Sequence, residues 1–86
     1  SLKDICSHLA ISVSYFSSIF KAYTDLTFVE YLTERRIEKA KQLLKNTDKS
    51  IAEIAEAVGY KEPHYFSMIF KKSTDMTPKN YRKHSR

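Results

Sequence analysis

The amino-acid sequence predicts an all-α domain of two helix-turn-helix units joined by one long central linker helix. The segment 27–46 contains neither glycine nor proline, and its apolar residues recur at steps of three and four, as one helix face requires. The segments on either side of it repeat each other, and each copy has the pattern helix, turn, helix. One glycine and two prolines among 86 residues leave room only for short connections between helices.

The central helix is predicted to begin at Thr27, because Thr27 and Glu30 have the spacing of a capping box. Its inward face is predicted from positions at helical spacing, namely Val29, Leu32, Arg36, Ala40, Leu43 and Leu44. Arg36 is included because its aliphatic stem can lie along an apolar face. A twenty-residue helix spans about 30 Å. Successive major-groove faces of B-DNA lie about 34–36 Å apart, so this helix is expected to hold two recognition units one DNA turn apart.

The internal repeat has two parts. Residues 1–11 match residues 50–60 at an offset of 49, and residues 15–27 match residues 65–77 at an offset of 50. In the second part Tyr, Phe, Ser, Ile, Phe, Lys, Thr, Asp and Thr recur at the same places. The change of offset places one extra residue in the turn of the second copy. The predicted divisions are a first helix-turn-helix at 1–26, the linker helix at 27–46, a second helix-turn-helix at 50–76 and a C-terminal helix at 77–86.

In the first copy Ser1 and Asp4 form a weaker version of a capping box, and Ser12 is predicted to cap the second helix after a turn at 10–13. The inward residues are predicted to be Leu2, Ile5, Cys6 and Leu9 on the first helix and Phe16, Ile19, Phe20 and Tyr23 on the second. Leu2, Ile5 and Leu9 form an apolar stripe that needs a cover besides the second helix.

In the second copy Ser50 and Glu53 have the spacing of another capping box, and Gly59 can end the helix in a left-handed conformation. Pro63 suits the first position of the following helix, and Thr77 with Pro78 begins the last one. The predicted inward residues are Ile51, Ile54, Ala55, Val58, Phe66, Ile69, Phe70 and Tyr81, whereas Arg82, Lys83 and Arg86 are predicted to face solvent.

Composition narrows the class of protein. Hydrophobic residues at 42% and charged residues at 29% indicate a globular domain, and no apolar run reaches membrane-spanning length. Cys6, the single cysteine, is predicted to be a small core residue in the reducing cytoplasm. The three histidines have no ligand spacing, so no metal or cofactor is predicted. The sequence contains no paired carboxylates at useful spacing, no activated nucleophile and no phosphate-binding glycine loop, so it is not expected to be an enzyme.

Charge and the outward helix faces favour an anionic partner. The net charge of +5 is distributed as zero over residues 1–26, +2 over 27–49 and +3 over 50–86. A solvated charged surface is the simpler explanation of that charge. However, the second helix of each copy has the same outward pattern, Ser14, Ser17, Ser18 and Lys21 in the first and His64, Ser67, Met68 and Lys71 in the second. Small or hydrogen-bonding residues followed by a cation suit a helix that enters the major groove.

Four segments, RRIEKAKQLL (35–44), IAEIAEAVGY (51–60), YFSMIFKK (65–72) and TPKNYR (77–82), resemble the DNA-binding domain of the AraC/XylS family of bacterial transcription regulators. Within that family the sequence is most similar to the C-terminal domain of YesN-type response regulators. The resemblance implies a homeodomain-like tandem fold that binds double-stranded DNA in adjacent major-groove segments. It also implies RNA polymerase as a protein partner, with no membrane and no small-molecule ligand for this part of the chain.

The family's positions carry over onto individual residues of this sequence. The implied base-facing residues are Ser14, Ser17 and Ser18 in the first copy and His64, Ser67 and Met68 in the second. The residues implied to lie near phosphates are Ser12, Arg35, Lys71 and Lys72, and Lys21 completes the predicted DNA-binding set. The sequence departs from the family pattern at Ala10, where glycine is usual, at Asp25 and Asp75, where glycine is common, and at Phe28, where the second copy has Pro78.

Three alternatives remain open. The family has a further helix before the position of Ser1, so the chain is expected to be a fragment of a longer regulator, either a two-component response regulator or a ligand-sensing one. A helical protein-interaction module would tolerate the basic surface, but it does not need two matched recognition faces. RNA binding is also open, although the sequence contains no stacking sheet and no known RNA motif.

Overall fold

The computed structural model describes residues 1–86 and contains six α-helices and no strand. The helices are α1 (Leu2–His8), α2 (Val13–Thr24), α3 (Phe28–Asn46), α4 (Ile51–Val58), α5 (Pro63–Thr74) and α6 (Pro78–Ser85). The prediction of an all-α fold with two helix-turn-helix pairs and a long helix between them is confirmed. The chain divides into two compact units, a first unit at Ser1–Glu34 and a second unit at Arg35–Arg86, with the boundary inside α3.

Both predicted capping boxes are present and fix where α3 and α4 begin. The Glu30 N–H donates to Thr27 Oγ1 at 3.1 Å, and the Thr27 N–H donates to Glu30 Oε1 at 3.2 Å. Ser50 and Glu53 make the same two bonds at 3.1 and 2.9 Å. The Thr27 hydroxyl, and then its N–H, lower the pKa of Glu30; the Ser50 N–H, and then its hydroxyl, lower the pKa of Glu53. Each cap therefore stabilises its carboxylate in the ionised form.

Four residues adopt the left-handed conformation at helix or turn ends. Gly59 has φ 108° and ends α4, as predicted. Asp25 (φ 59°) and Asp75 (φ 63°) end α2 and α5, and Ala10 (φ 57°) lies in the turn after α1. Three of these four positions are therefore not glycine, and their side chains crowd the backbone in a region that L-residues rarely occupy.

The core of the second unit is built from α3, α4, α5 and Tyr60, the second residue after α4. Its buried side chains are Ile37, Ala40, Leu44, Ile54, Ala55, Val58, Tyr60, Phe66 and Phe70, with Leu43, Ile51, Ile69 and Tyr81 packed against them. The inward faces predicted for α4 and α5 are confirmed. Ile37 and Tyr60 were not predicted, and Ile37 rather than Arg36 is the fully buried residue in its turn of α3.

Arg36 is only partly buried, and its charged end has a specific place. The guanidinium carbon lies 5.1 Å from the centre of the Tyr60 ring, within the range of a cation–π interaction. The same guanidinium lies beside Gly59, where a Cβ atom would be 2.9 Å from Arg36 Nε. Glycine is thus favoured at position 59 both by the backbone conformation and by the space that Arg36 occupies.

The first unit has a smaller core. Cys6, 2% exposed, is its one buried hydrophobic residue, as predicted. Phe16 and Phe20 of α2 are half-buried, and the Phe28 ring lies 5.8 and 5.7 Å from theirs. The Tyr31 ring lies 5.3 Å from that of Phe20. Phe28, at the position where the second copy has proline, therefore supplies a ring to this aromatic cluster.

Several residues of the first unit that were predicted to face inward are exposed, namely Val29 (68%), Tyr23 (87%), Leu9 (55%), Ile5 and Ile19. The predictions for Val29, Tyr23 and Ile19 were wrong because helical spacing identifies a side of the helix but not what covers that side. The exposure of Ile5 and Leu9 agrees with the expectation that α2 alone does not cover the apolar stripe to which they belong. Within the first unit, the aromatic cluster covers the Phe16 and Phe20 side of α2 and leaves the neighbouring side uncovered.

The prediction that Arg82 faces solvent is wrong, whereas Arg86, which follows α6, is exposed as predicted and also makes hydrogen bonds. Arg82 donates from Nε to the Leu44 carbonyl oxygen at 3.0 Å, and from a terminal nitrogen to those of Thr47 and Lys49 at 3.2 and 2.7 Å. Arg86 donates to the carbonyl oxygens of Lys45 and Thr47. The last carbonyls of α3 have no partners within the helix and carry the negative end of its dipole, so they attract the guanidinium groups.

Candidate nucleic-acid interface

Helix α5 has one face packed against the core and an opposite face exposed to solvent. Phe66 and Phe70 are fully buried on one side, so the helix cannot rotate without opening the core. The other side presents His64, Met68 and Lys71, which are all exposed, with Met68 at 58%. Packing of the phenylalanines therefore determines which side chains remain available for a partner.

The start of α5 is specified by two residues. Pro63 occupies the first helical position, and the Glu62 carboxylate accepts a hydrogen bond from the His64 N–H at 3.2 Å. His64 therefore lies in the first turn of α5. In helices that read the major groove, the N-terminal residues are the ones that contact base edges. Ser67 follows one turn later and is half-buried, so less of its side chain is available than was predicted.

Helix α2 has the same organisation in the first unit. Ser14, Ser18 and Lys21 are exposed and Ser17 is half-buried, on the side away from the half-buried Phe16 and Phe20. Ser12 is the N-cap, as predicted, and its hydroxyl oxygen accepts the Tyr15 N–H at 3.0 Å. Because that bond uses a lone pair, the Ser12 hydroxyl proton remains free to donate to another acceptor.

Each of these faces contains an open surface depression. In the second unit it measures about 490 Å³ and is lined by Met68, Lys71, Lys72 and Asp75. In the first unit it measures about 740 Å³, and its lining includes Ser17, Ser18, Lys21, Ala22 and Asp25. Under the repeat, Ser18 corresponds to Met68 and Lys21 to Lys71, so the two depressions occupy equivalent places. Sequence inspection did not indicate them.

The structure thus groups most of the predicted site residues. Ser17, Ser18 and Lys21 lie together in the first unit, Met68, Lys71 and Lys72 lie together in the second, and Ser14 and His64 precede them on the same helices. Arg35 is exposed on α3 and is not part of either depression.

The cations predicted for this interface form no ion pair in the structure. The three ion pairs of the structure join the terminal amine to Asp4, Lys41 to Glu38, and Arg86 to Asp48. Lys21, Arg35, Lys71 and Lys72 take part in none of them. Their positive charge is therefore available to an external anion such as a phosphate group.

No other kind of site is evident. The structure contains no group of three or more His, Cys, Asp or Glu side chains that could hold a metal ion. The pKa values of Asp4, Glu30 and Glu53 are lowered, and the largest cause in each is a hydrogen bond from a helix-capping residue. None of the helices is both long and apolar enough to span a membrane.

The geometry of two exposed, lysine-bearing second helices is that of helix-turn-helix DNA-binding domains, and a family model described as a helix-turn-helix domain matches residues 5–84. The chain is 41% identical over 81 residues to the HTH-type transcriptional activator RhaR of Mannheimia succiniciproducens, covering 94% of this chain and 29% of that protein. The chain thus spans under a third of the length of this curated relative.

Two solved structures have the same fold. The C-terminal domain of the two-component response regulator yesN from Fusobacterium nucleatum is 41% identical with a TM-score of 0.91, over 95% of this chain and 80% of that one. The C-terminal domain of AraT, a response regulator from Geobacillus stearothermophilus, is 40% identical with a TM-score of 0.94, over 98% and 69%. The chain belongs to the AraC/XylS family of DNA-binding transcription regulators.

Proposed function

We propose that the chain binds double-stranded DNA sequence-specifically by placing α2 and α5 in successive major grooves. The observation that carries this proposal is the recurrence of one surface on both helices, with small or hydrogen-bonding side chains at the start and an unpaired lysine further along. The opposite face of α5 is held by the buried Phe66 and Phe70, and that of α2 packs through the half-buried Phe16 and Phe20. Packing of these rings defines the orientation in which each surface is presented.

Helix α5 is proposed to set more of the sequence preference. The His64 imidazole can hydrogen-bond a base edge, and the exposed Met68 side chain can contact a thymine methyl group. A good direct base contact discriminates by about 1–3 kcal/mol. Lys71 and Lys72, in the last turns of α5, are proposed to contact phosphates and to add affinity for any sequence.

Helix α2 is proposed to contribute affinity with weaker discrimination. Ser14, Ser17 and Ser18 are short and can each donate or accept, so they act through close approach or bridging water. Lys21 and the free hydroxyl proton of Ser12 are proposed to reach phosphates, and Arg35 to do so from α3.

Two matched double variants test this division. His64→Ala with Met68→Ala removes the proposed base contacts of α5, and Ser17→Ala with Ser18→Ala removes those of α2. Each variant and the unsubstituted chain are used to select duplexes from one random library, and the selected sequences are compared position by position. The α5 pair should relax preference over one part of the site by about 1–3 kcal/mol per lost contact. The other part should keep its preference.

Two results would contradict the proposal. In one, the serine pair removes more sequence preference than the histidine–methionine pair. In the other, both pairs affect the same few base pairs, which two helices in separate grooves cannot do. Selection of no preferred sequence by the unsubstituted chain would reject sequence-specific binding itself.

The cellular context is proposed from the neighbours. Both solved C-terminal domains come from response regulators, which supports an output domain of a two-component system acting in the bacterial cytoplasm. The gene sequence upstream of the Ser1 codon decides this point: a receiver domain supports it, and a ligand-binding domain contradicts it. RhaR is an activator, and by analogy RNA polymerase is the proposed protein partner, which in vitro transcription would test.

A further inference from the structure

Arg82 links two parts of the second unit that are distant in sequence. Its guanidinium donates to the carbonyl oxygens of Leu44, Thr47 and Lys49, which lie 38, 35 and 33 residues earlier in the chain. Leu44 is in the last turn of α3, and Thr47 and Lys49 form the connection to α4. One side chain of α6 therefore holds the end of α3 and the following connection at once.

Helix α6 in turn supports α5. The Tyr81 ring lies 5.5 Å from the Phe70 ring in an edge-to-face arrangement, and Pro78 at the start of α6 is buried. Phe70 is the buried anchor of α5, and the exposed Met68 and Lys71 lie on either side of it in sequence. A shift of α6 relative to α3 would therefore change the direction in which α5 presents its free face.

A direct phosphate contact is the obvious other role for an arginine in a DNA-binding domain. Against it, the Nε and one terminal nitrogen of Arg82 are already directed at three carbonyls, and the side chain is partly buried. Lys83, the next residue on α6, is exposed and takes part in no ion pair, so it is the better placed of the two for an external anion.

We propose that Arg82 is a positioning residue for DNA recognition: by fastening α6 to the C-terminal end of α3, it fixes the orientation of α5. Arg86 reinforces the attachment through the Lys45 and Thr47 carbonyls and through Asp48, 2.9 Å away. The proposal rests on the function proposed above for α5. It adds a specificity role for a residue that need not touch DNA.

The test compares Arg82→Ala and Arg82→Lys with Lys83→Ala, which removes the same charge from a neighbouring exposed position. The probe is a duplex selected from a random library by the unsubstituted chain, together with its single-base-pair variants. Affinity is measured over a series of salt concentrations, at a temperature where circular dichroism shows each protein to be folded.

We expect Arg82→Ala to weaken binding to the selected duplex by roughly two- to thirtyfold, the range typical of residues that act through a packed network. Discrimination among base-pair variants should fall in the half-site read by α5, while the slope of log affinity against log salt stays unchanged because no phosphate contact is lost. Arg82→Lys should recover part of the discrimination, since a lysine can reach some of the carbonyls. Lys83→Ala should leave discrimination intact.

Two outcomes would overturn the proposal. If the salt slope of Arg82→Ala falls by about 0.9 with discrimination intact, Arg82 is a phosphate contact. If the folded variant binds every duplex as the unsubstituted chain does, Arg82 acts only on stability. Should Arg82→Ala not fold, the lysine variant decides, because undiminished discrimination there also overturns the proposal. Failure of the unsubstituted chain to select any sequence rejects the proposed function instead.

Discussion

Gly59 and Ala10 occupy the same place in the two copies of the repeat, and opposite substitutions there should have opposite effects on stability. Gly59 ends α4 with φ 108°, and Ala10 ends the equivalent turn with φ 57°. Gly59→Ala introduces a Cβ atom into a conformation that alanine rarely adopts, whereas Ala10→Gly removes one. We expect the first substitution to destabilise the chain and the second to stabilise it.

The magnitude at Gly59 follows from three contributions. The left-handed conformation costs an alanine about 1–2 kcal/mol. The new Cβ, 2.9 Å from Arg36 Nε, displaces the guanidinium from the Tyr60 ring, which forfeits a cation–π interaction of about 0.5–2 kcal/mol. Lower freedom of the unfolded chain returns about 0.4–1 kcal/mol. The net expected loss is about 2 kcal/mol, equivalent to a melting temperature lower by roughly 8–16 °C.

At Ala10 only the first and third contributions apply, with their signs reversed. Relief of the left-handed strain outweighs the added freedom of the unfolded chain, so Ala10→Gly should stabilise by about 0.5–1 kcal/mol. Urea denaturation followed by far-ultraviolet circular dichroism measures both changes. Arg36→Ala provides the control background, in which Gly59→Ala should cost about 1 kcal/mol less because no guanidinium has to move.

The reasoning about Arg36 would be refuted if Gly59→Ala had the same cost with and without the Arg36 side chain. A cost under about 0.5 kcal/mol in the unsubstituted background would refute the strain argument as well, since it lies below the smallest net value of the three contributions. Destabilisation by Ala10→Gly would show that the first turn relaxes to relieve the crowding.

Two further predictions concern charge. Replacing Lys71 and Lys72 together with Ala should weaken binding to selected and random duplexes alike and flatten the dependence of log affinity on log salt; an unchanged slope with altered preference would show that these lysines contact bases. Glu30 and Glu53 have pKa values below the ordinary 4.5, so their contribution to stability is present above that value and is lost as pH falls through the folded-state pKa. The urea concentration at the unfolding midpoint should therefore fall less on acidification in the double variant Glu30→Gln with Glu53→Gln than in the unsubstituted chain. The same dependence of the midpoint on pH in both proteins would contradict the assignment.

Local signals in the sequence predicted the helices well. Ser12, Thr27, Ser50 and Thr77 each cap the helix they were predicted to begin, and Gly59 ends α4. Capping and turn chemistry depend on residues within four positions of each other, so a single sequence contains the necessary information.

Long-range packing was less predictable. The inward face of α3 was assigned to Arg36, but the adjacent Ile37 is the buried residue. Adjacent residues differ by about 100° around a helix axis, which is the size of this error. Val29 and Tyr23 have the spacing of inward residues but are exposed, because periodicity does not show whether an element covers that side. Arg82 was predicted to face solvent, and its carbonyl acceptors, 33 to 38 residues earlier, could not be identified from local sequence.

The candidate interface could be predicted in part. The repeat predicted that α2 and α5 would present matching faces, and their exposed positions are as expected at Ser14, Ser18, His64 and Met68. The depressions beside Asp25 and Asp75 could not be predicted, because their shape depends on how the turn after each helix folds back. Which of these residues contact bases stays a prediction.

The non-glycine residues in the left-handed conformation also have a genetic consequence. Codons for alanine and for aspartate differ from glycine codons at the middle base alone, so Ala10, Asp25 and Asp75 are each a single nucleotide change from the residue their backbone favours. Natural proteins rarely lie at their stability optimum, because selection removes only variants that fall below what function needs. These three codons are therefore accessible first steps for a lineage under thermal selection, and they leave the proposed DNA-contacting side chains unaltered.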